Sequence, residues 1–323
     1  MTISTRLTDL LGIKHPVLLA PMGSASGGEL AAAVSRAGGF GIIGAGYGEE
    51  DWLKRELDAA GDARIGVGYI TWSMAKNPRL LDIALERKPA AVMLSFGDIA
   101  PHAAKIKRAG ALIICQIQSV VQAKEVAVKG ADIIVAQGAE AGGHGAIRST
   151  LPLVPAVVDA AGKVPVVAAG GIADGRGLAA ALMLGADGVL MGTRFLASEE
   201  ALIAPEAKQR VVDTDGDGTL RTMIFDLVRG RAWPAPYTGR VIKNRFSERW
   251  RGREAELVHN LAQESAAYAE AQTRNDLDTI VLHAGEALDL TSEILPAAAI
   301  VERTVAECER LVAGASNRYR VAH

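Results

Sequence analysis

Short apolar runs alternate with alanine-rich amphipathic segments along the first two-thirds of the chain. The runs are continuously apolar rather than alternating with polar residues, which is the pattern of strands buried on both faces of a parallel sheet. Each intervening segment has room for a helix of about three turns and two short loops. Eight such runs occur, and their first residues are Val17, Phe40, Arg64, Ala90, Leu112, Asp132, Pro165 and Gly188.

The segments between the runs carry helix start and stop signals. One begins after Ser119, a typical N-cap, and ends before Gly130; another begins after Asp174 and ends before Gly185. Eight repeats of strand and helix predict an α/β fold of the (β/α)8 TIM-barrel type. An open doubly wound sheet has the same alternation and stays an alternative, but the count of eight favours the barrel.

The pattern changes beyond residue 204. Residues 205–255 are charged and irregular, and two helical segments follow them. We therefore expect a barrel core over residues 1–204 and, over residues 205–323, a cap or lid segment with C-terminal helices packing on the barrel. Three aromatic residues of the cap either form an apolar wall at the barrel mouth or only dock the segment: Trp233, Tyr237 and Phe246.

Composition narrows the class of protein. The 323 residues are 49% hydrophobic with a formal charge of −2, which predicts a globular protein with no general electrostatic attraction to nucleic acid or anionic membranes. Only two cysteines occur, Cys115 and Cys308, and the N-terminal residues lack the apolar core of a signal peptide. We therefore expect a cytoplasmic protein.

No metal site is expected. The stretch 213–220 resembles the start of an EF-hand loop, but the position of the bidentate glutamate holds Ile224. Five further histidines are not spaced like metal ligands, and no role is predicted for them: His15, His102, His259, His283 and His323.

Glycine turns end the last two predicted strands. Gly170 and Gly171 follow the seventh strand, and Gly192 and Thr193 follow the eighth. In barrels these two loops often bind a phosphate through backbone N–H groups and a helix N-terminus, and glycine permits the close approach. We predict a phosphate site here, against the alternative of ordinary tight turns.

Two other strand ends hold candidate chemistry. His144 lies between glycines in a long loop after the sixth strand, where an imidazole has access to the barrel mouth and can act as a general base. A loop histidine with only a structural hydrogen bond is the alternative. After the first strand, Pro21, Met22 and Gly23 offer backbone and a thioether to a flat ring, although the methionine equally suits the core.

Three stretches together resemble the nitronate monooxygenase (2-nitropropane dioxygenase) family of FMN enzymes. They are APMG after the first strand, AQGAEAGGHGA after the sixth, and PVVAAGGIADGRGLAAALMLGADGVLMGTRFL over the seventh and eighth. The likeness spans strands one to eight, and RTMIFDLVRGRAWPAPYTGRVIKNRF also looks like the later part of such chains. The set is specific for the family but not for the substrate.

The resemblance implies a non-covalent FMN whose phosphate lies on the two glycine turns, with His144 as the active-site histidine. Relatives often have an asparagine where this chain has Gly68, and some have a lysine where it has Gln116, a neutral amide that stabilises an anionic reduced flavin less than a cation does. The residues that the resemblance places near the flavin ring are Pro21, Met22, Gly23, Gly68, Gln116, Gln137, Gly138, Ala141, Gly142 and Gly143.

The activity implied by the resemblance is oxidation of alkyl nitronates or nitroalkanes by O2 to a carbonyl compound and nitrite. The partners are then a small-molecule substrate and O2, with neither nucleic acid nor membrane, and a homo-oligomer is compatible with the sequence. An NAD(P)H-dependent FMN reductase, of the enoyl-acyl-carrier-protein reductase or quinone reductase type, is the first alternative. A phosphate-ligand barrel without flavin, an isomerase or a binding protein, is the second.

Overall fold

The computed structural model describes residues 3–318, which contain eleven strands. In chain order these are β1 (Val17–Leu19), β2 (Ile42–Gly44), β3 (Gly66–Ile70), β4 (Ala91–Ser95), β5 (Leu112–Ile117), β6 (Ile133–Gln137), β7 (Gly143–Gly145), β8 (Val166–Ala169), β9 (Gly188–Met191), β10 (Thr219–Thr222) and β11 (Thr238–Ile242).

Sixteen α-helices occur in the same part of the chain. They are α1 (Arg6–Leu11), α2 (Gly28–Arg36), α3 (Glu50–Ala59), α4 (Thr71–Met74), α5 (Arg79–Glu86), α6 (Ala100–Arg108), α7 (Val120–Val128), α8 (Thr150–Ala161), α9 (Gly175–Met183), α10 (Thr193–Leu196), α11 (Pro205–Asp213), α12 (Ile224–Val228), α13 (Arg245–Trp250), α14 (Glu254–His259), α15 (Leu261–Thr273) and α16 (Ala297–Arg318). Two short 3₁₀ helices, Gly216–Gly218 and Glu286–Leu290, complete the elements.

The eight predicted runs form one parallel sheet that closes into a barrel. The strand order is β1-β9-β8-β6-β5-β4-β3-β2. A parallel bridge between Leu18 and Phe40 joins the two outer strands, and the Phe40 N–H donates to the Val17 carbonyl at 3.0 Å. The (β/α)8 barrel is therefore confirmed, and the open sheet was the wrong alternative.

The continuous apolar runs follow from burial on both faces of the sheet. Along β1, Val17 and Leu19 pack with the helices outside the barrel, whereas Leu18 faces the lumen. Leu7 and Leu11 of α1 join the same lumenal cluster. Both sides of each strand are thus withdrawn from water, so no polar alternation is needed.

The predicted helix ends are also present. The Ser119 hydroxyl accepts from the Gln122 N–H at 3.2 Å, and the Asp174 carboxylate accepts from the first backbone N–H groups of α9. Gly130 and Gly185 follow α7 and α9 with φ of +95° and +89°, a region that strongly favours glycine.

The cap contains a second sheet and its own apolar cluster. In this sheet β11 lies between β10 and β7 and is antiparallel to both. Phe225, Phe246, Trp250 and Tyr268 pack together beneath it.

The last helix, α16, packs against α9 and α2 on the outside of the barrel, in the place of an eighth barrel helix. The cap is therefore inserted between β9 and that helix. The division at residue 204 stays a prediction, because β7 lies on one side of it in sequence and pairs with β11 on the other. No helix within residues 3–318 has the length and apolar character needed to span a membrane.

Candidate active site

The two glycine turns lie side by side because their strands are neighbours. Ala169 of β8 pairs with Leu190 of β9, so the residues that follow each strand emerge at the same end of the barrel. Gly170 and Gly171 have φ of +104° and +72°, a backbone conformation that side-chain-bearing residues rarely adopt. This turn requires glycine.

The second turn leads directly into α10. No side chain caps the start of this short helix at Gly192, so its first N–H groups are not satisfied by a side chain. The Thr193 hydroxyl accepts from the Gly285 N–H at 2.8 Å, which leaves its own proton to donate. The paired turns therefore suit a phosphate group.

The loop 138–143 packs against the first turn. A Cβ placed on Gly170 would lie 3.1 Å from both the Gly138 carbonyl and the Ala141 nitrogen. Thr150 ties the two together, because its hydroxyl bonds the Gly170 carbonyl at 3.0 Å and the Glu140 carboxylate at 2.8 Å. The loop is thus fixed to the strand end that precedes it.

The residues after β1 lie beside the second turn. A Cβ on Gly192 would sit 3.5 Å from the Met22 sulfur, so Met22 reaches the predicted cofactor region. Gly23 is exposed. Gly68 is different: it is buried, and a Cβ there would overlap Pro21. Its role is to let Pro21 pack, and its contact with a cofactor stays a prediction.

Three glutamine side chains connect β5 and β6 to the histidine loop. The Gln137 Oε1 accepts from the Gln116 Nε2 at 3.1 Å and from the Gln118 Nε2 at 2.8 Å. In the other direction, the Gln137 Nε2 donates to the His144 carbonyl at 3.1 Å. The amide of Gln137 is therefore used to hold the backbone of His144.

Two arginines from the cap sheet also hold this loop. Arg221 and Arg240 both donate to the Ala139 carbonyl, and Arg221 reaches the Gly145 carbonyl at 3.1 Å as well. Burial lowers the pKa of Arg221 to about 10, which still leaves the guanidinium charged at neutral pH. His144 pairs with Gly239 of β11, so its strand belongs to the cap sheet.

The His144 imidazole is buried and has contacts on one edge and one face. Its Nε2 lies 2.9 Å from the Asp226 Oδ2, and the two side chains are only 6% and 7% exposed. The Trp233 ring stacks on it with a centroid distance of 3.5 Å and an interplanar angle of 6°. The ring of His144 therefore faces protein rather than bulk solvent.

A second histidine lies close by. The His283 ring centroid is 5.6 Å from that of His144, and the nearest atoms to a Cβ on Gly239 belong to these two rings. Burial lowers the pKa of His283 to about 3, and the nearby His144 and Arg229 act in the same direction. His283 is therefore neutral at physiological pH.

Aromatic side chains surround Trp233. The rings of Trp72 and Phe96 lie edge-on to it at 5.4 and 5.0 Å, and its Nε1 donates to the Tyr47 hydroxyl at 2.9 Å. Tyr237 contacts Phe96 at 5.0 Å. Of the three aromatic residues singled out in the cap, Trp233 and Tyr237 thus line the mouth, whereas Phe246 packs inside the cap cluster.

Asp226 was not predicted from the sequence, and no role was predicted for His283. Each is a polar residue within an apolar run, IFDLV and IVLHAG, and that signal was present in the sequence. Four further residues near the site were not predicted either: Gln118, Tyr47, Trp72 and Phe96. His323 lies outside the described residues.

The acidic stretch 213–220 forms a turn within the cap. The Asp215 carboxylate accepts from the Gly218 N–H at 2.8 Å, and the Gly216 N–H donates to Asp289. Within residues 3–318, no three His, Cys, Asp or Glu side chains are grouped to hold a metal ion. A surface cavity of about 750 Å³ lies at the other end of the barrel, before β3, β4 and β5, and includes none of the predicted site residues.

Comparison with known proteins decides the family. The model of the nitronate monooxygenase family matches residues 4–64 and 66–307. The chain belongs to the nitronate monooxygenase family. This confirms the resemblance seen in the glycine-histidine loop and the two turns, and it makes the protein a flavin-dependent oxidoreductase.

Individual relatives of this nitronate monooxygenase family member match nearly its whole length. The nitronate monooxygenase npaC of Metarhizium robertsii is 37% identical over 328 residues, covering 90% of each chain. The structure of FabK from Thermotoga maritima is 32% identical with a TM-score of 0.86, covering 98% of this chain and 100% of that one. The nitroalkane oxidase of Streptomyces ansochromogenes is 29% identical with a TM-score of 0.81, covering 96% and 99%.

Proposed function

We propose that this protein is an FMN-dependent nitronate monooxygenase that converts alkyl nitronates and nitroalkanes, with O2, into a carbonyl compound and nitrite. The observation that carries the proposal is the buried pair of His144 and Asp226, held at the same end of the barrel as the glycine turns. The similarity to npaC and to nitroalkane oxidase supports this substrate class. The barrel core 1–204 would bind the cofactor, and the cap, within 205–323, would enclose the substrate.

In this proposal the phosphate of FMN binds to Gly170, Gly171, Gly192 and Thr193. The left-handed glycine turn and the free Thr193 hydroxyl proton fit that role. The residues expected near the ring are Pro21, Met22 and Gly23, the amides Gln116 and Gln137, and the loop 138–143. When bound, FMN would supply the electron-accepting ring and the reaction with O2.

His144 is the base for neutral nitroalkanes. Asp226 accepts the proton on Nε2 and so selects the tautomer in which Nδ1 carries the lone pair. The C–H bond next to the nitro group breaks, its proton goes to Nδ1, and the electron pair remains on the substrate as the nitronate. Asp226 stabilises the resulting imidazolium, as the carboxylate does in other His–Asp pairs.

The side chains around His144 also exclude water. Asp226, Trp233 and the ring of His283 surround the imidazole, and the aromatic residues beyond Trp233 close the mouth. A preformed nitronate needs no proton removed, so for that substrate His144 is not required as a base, and only its protonated form, with a proton on Nδ1, can donate a hydrogen bond to the negative charge. The two substrate forms therefore place different demands on the same residue.

Anaerobic reduction of the bound flavin tests the function. The FMN-loaded protein is mixed, without oxygen, with a primary alkyl nitronate in one experiment and with NADH or NADPH in another. We expect the nitronate to bleach the flavin, and admission of O2 to release nitrite and the carbonyl compound. Bleaching by NAD(P)H with no response to the nitronate would contradict the proposal.

A second candidate is an NAD(P)H-dependent FMN reductase. The whole-length similarity to FabK is the observation that keeps it in view. The same experiment separates the two, since only a reductase takes electrons from NAD(P)H. Protein that does not take up FMN would instead indicate a phosphate-ligand barrel without flavin. Both cysteines are free and buried, in keeping with the cytoplasmic location we propose.

A further inference from the structure

Residues 231–237, the lid segment, cross the barrel mouth and are tied down at two points. The Trp233 Nε1 donates to the Tyr47 hydroxyl at 2.9 Å, and the Gln122 Nε2 donates to the Tyr237 hydroxyl at 2.9 Å. Arg231 adds a contact, with its guanidinium carbon 4.0 Å from the centroid of the Tyr47 ring. Tyr47 and Gln122 belong to the barrel, so these contacts fasten the lid segment to it.

Trp233 covers a face of the His144 ring rather than one of its edges. The two rings are nearly parallel, with an angle of 6° and a centroid distance of 3.5 Å. The lone pair of Nδ1 lies in the plane of the imidazole, so a substrate approaching Nδ1 along that plane does not meet the indole face. Asp226 fixes one edge of the imidazole and Trp233 fixes the angle of its plane.

We propose that Trp233 is a positioning residue for His144, brought to it by the lid segment, so that the base is correctly oriented only while the lid segment is fastened to Tyr47. The effect on turnover rests on the proposed function; the stack and its fastening do not. A misplaced base loses rate steeply, because proton transfer depends on distance and angle.

The groups facing His144 stay the same when Trp233 is changed. They are Asp226 from α12 and His283 from the segment bridged to β11, and Arg229 just after α12 lies near His283. Arg221 of β10 bonds the Gly145 carbonyl next to the histidine. Because none of these belongs to the lid segment, a change in His144 on substituting Trp233 reports the stack.

The first test compares Trp233→Leu with the control Trp72→Leu. Trp72 belongs to the same aromatic cluster and touches Trp233, whereas the stacking partner of His144 is Trp233. We expect Trp233→Leu to lower kcat for a neutral nitroalkane about tenfold more than kcat for its nitronate. Trp72→Leu lowers both by similar factors, and Trp233→Phe restores most of the selective loss.

The second measurement is independent of turnover. We expect the Cε1–H proton of His144, assigned by its absence from His144→Asn, to be shifted upfield by the indole ring that stacks on the imidazole. We expect this shift to disappear in Trp233→Leu, and to shrink in Tyr47→Phe because that variant lacks the hydroxyl that holds the indole. We expect that adding Tyr47→Phe to Trp233→Leu causes no further selective loss of nitroalkane turnover.

The outcomes separate the inference from the proposed function. Equal losses on nitroalkane and nitronate in Trp233→Leu, or a normally shifted His144 proton in the wild type, would overturn the positioning role. If instead the upfield shift and its dependence on Tyr47 are found but neither nitro compound is turned over, the reaction class fails. In that case the stacking of Trp233 on His144, and its dependence on Tyr47, would still be supported.

Discussion

The two halves of the site are built from different parts of the polypeptide. At the ends of β8 and β9 the work, which is the proposed binding of the phosphate, is done by backbone groups. These are Gly170 and Gly171 in left-handed conformations and the N-terminus of α10. Around His144 the work, which is the proposed proton transfer, is done by side chains that come from α12, the lid segment and the segment before α16. The first half is fixed by neighbouring strands of one sheet, the second by contacts between distant parts of the chain.

Under the proposed function, this difference predicts that cofactor binding and proton transfer are separable. A backbone cradle depends on local conformation and on the register of β8 against β9. The base depends on long-range contacts, such as the 2.9 Å bond between residues 144 and 226. Substitutions in one half should therefore leave the chemistry of the other half largely intact.

Among the residues around His144, the largest effect is expected from Asp226→Asn. The amide no longer stabilises an imidazolium and permits the wrong tautomer of His144, so turnover of a neutral nitroalkane should fall about a hundredfold. Steady-state kinetics with the nitroalkane and with its nitronate measure the change. FMN affinity should stay within about twofold of wild type by the separability argued above. If Asp226→Asn instead loses FMN and slows nitroalkane and nitronate turnover equally, cofactor binding and proton transfer are not separable.

The opposite substitution is Gly171→Ala in the backbone half. Alanine at a φ of +72° costs about 1–2 kcal/mol, and its Cβ would lie 3.3 Å from that of Glu140, so the turn shifts and FMN affinity should fall about tenfold. Gly110→Ala is the matched control: φ is +81°, and a Cβ there meets no atom within 4 Å. Titration of the flavin-free proteins with FMN measures both. Equal losses of FMN affinity in Gly171→Ala and Gly110→Ala would mean that general backbone strain, and not the turn at Gly171, sets the affinity for FMN.

The side-chain half should also carry a pH dependence of stability. The pKa of His283 is lowered to about 3 in the folded protein, so between its unfolded value of about 6.5 and that value the unfolded chain binds a proton that the folded chain does not. Folded-state stability therefore falls as the pH drops below about 6.5. From pH 7 to pH 5, His283→Gln should lose about 2 kcal/mol less stability than wild type in urea unfolding. Parallel losses in the two proteins would contradict a neutral, buried His283.

The smallest effect is expected where the lid segment is fastened to α7. Tyr237→Phe removes the hydrogen bond from Gln122 of α7 to the lid segment, which should cost about 0.5–1.5 kcal/mol. Denaturant unfolding gives this number, and Gln122→Ala in the same assay should lose more, because the Gln122 Oε1 also accepts from the Gln118 N–H at 2.8 Å. If both variants are as stable as wild type, the Gln122–Tyr237 bond contributes nothing to holding the lid segment.

The backbone half, with the barrel that carries it, was largely predictable from the sequence, since strand burial and glycine turns are local signals. All eight barrel strands, the caps at Ser119 and Asp174 and the adjacent glycine turns are present as expected. The side-chain half was not, because the sequence predicted an imidazole with access to the barrel mouth, whereas His144 is buried against Asp226 and Trp233. Nothing in the spacing of residues 144, 226 and 283 shows that β7 would pair with β11 and bring them together.

Gly68 and Gln137 show a second limit. The family resemblance implied that both lie near the flavin, but steric contacts and hydrogen-bond partners are properties of the packed molecule. Gly68 is covered by Pro21, and the Gln137 amide holds Gln116, Gln118 and the His144 carbonyl. Their part in cofactor binding stays a prediction.

The most direct test of a separable cradle and base is His144→Asn, measured for FMN binding and for turnover of a neutral nitroalkane and its preformed nitronate. We predict a yellow, FMN-loaded protein that has lost neutral nitroalkane turnover by a factor of about 10³, with a far smaller loss on the nitronate. Wild-type turnover of both substrate forms by this variant would contradict the account, and so would loss of the flavin itself.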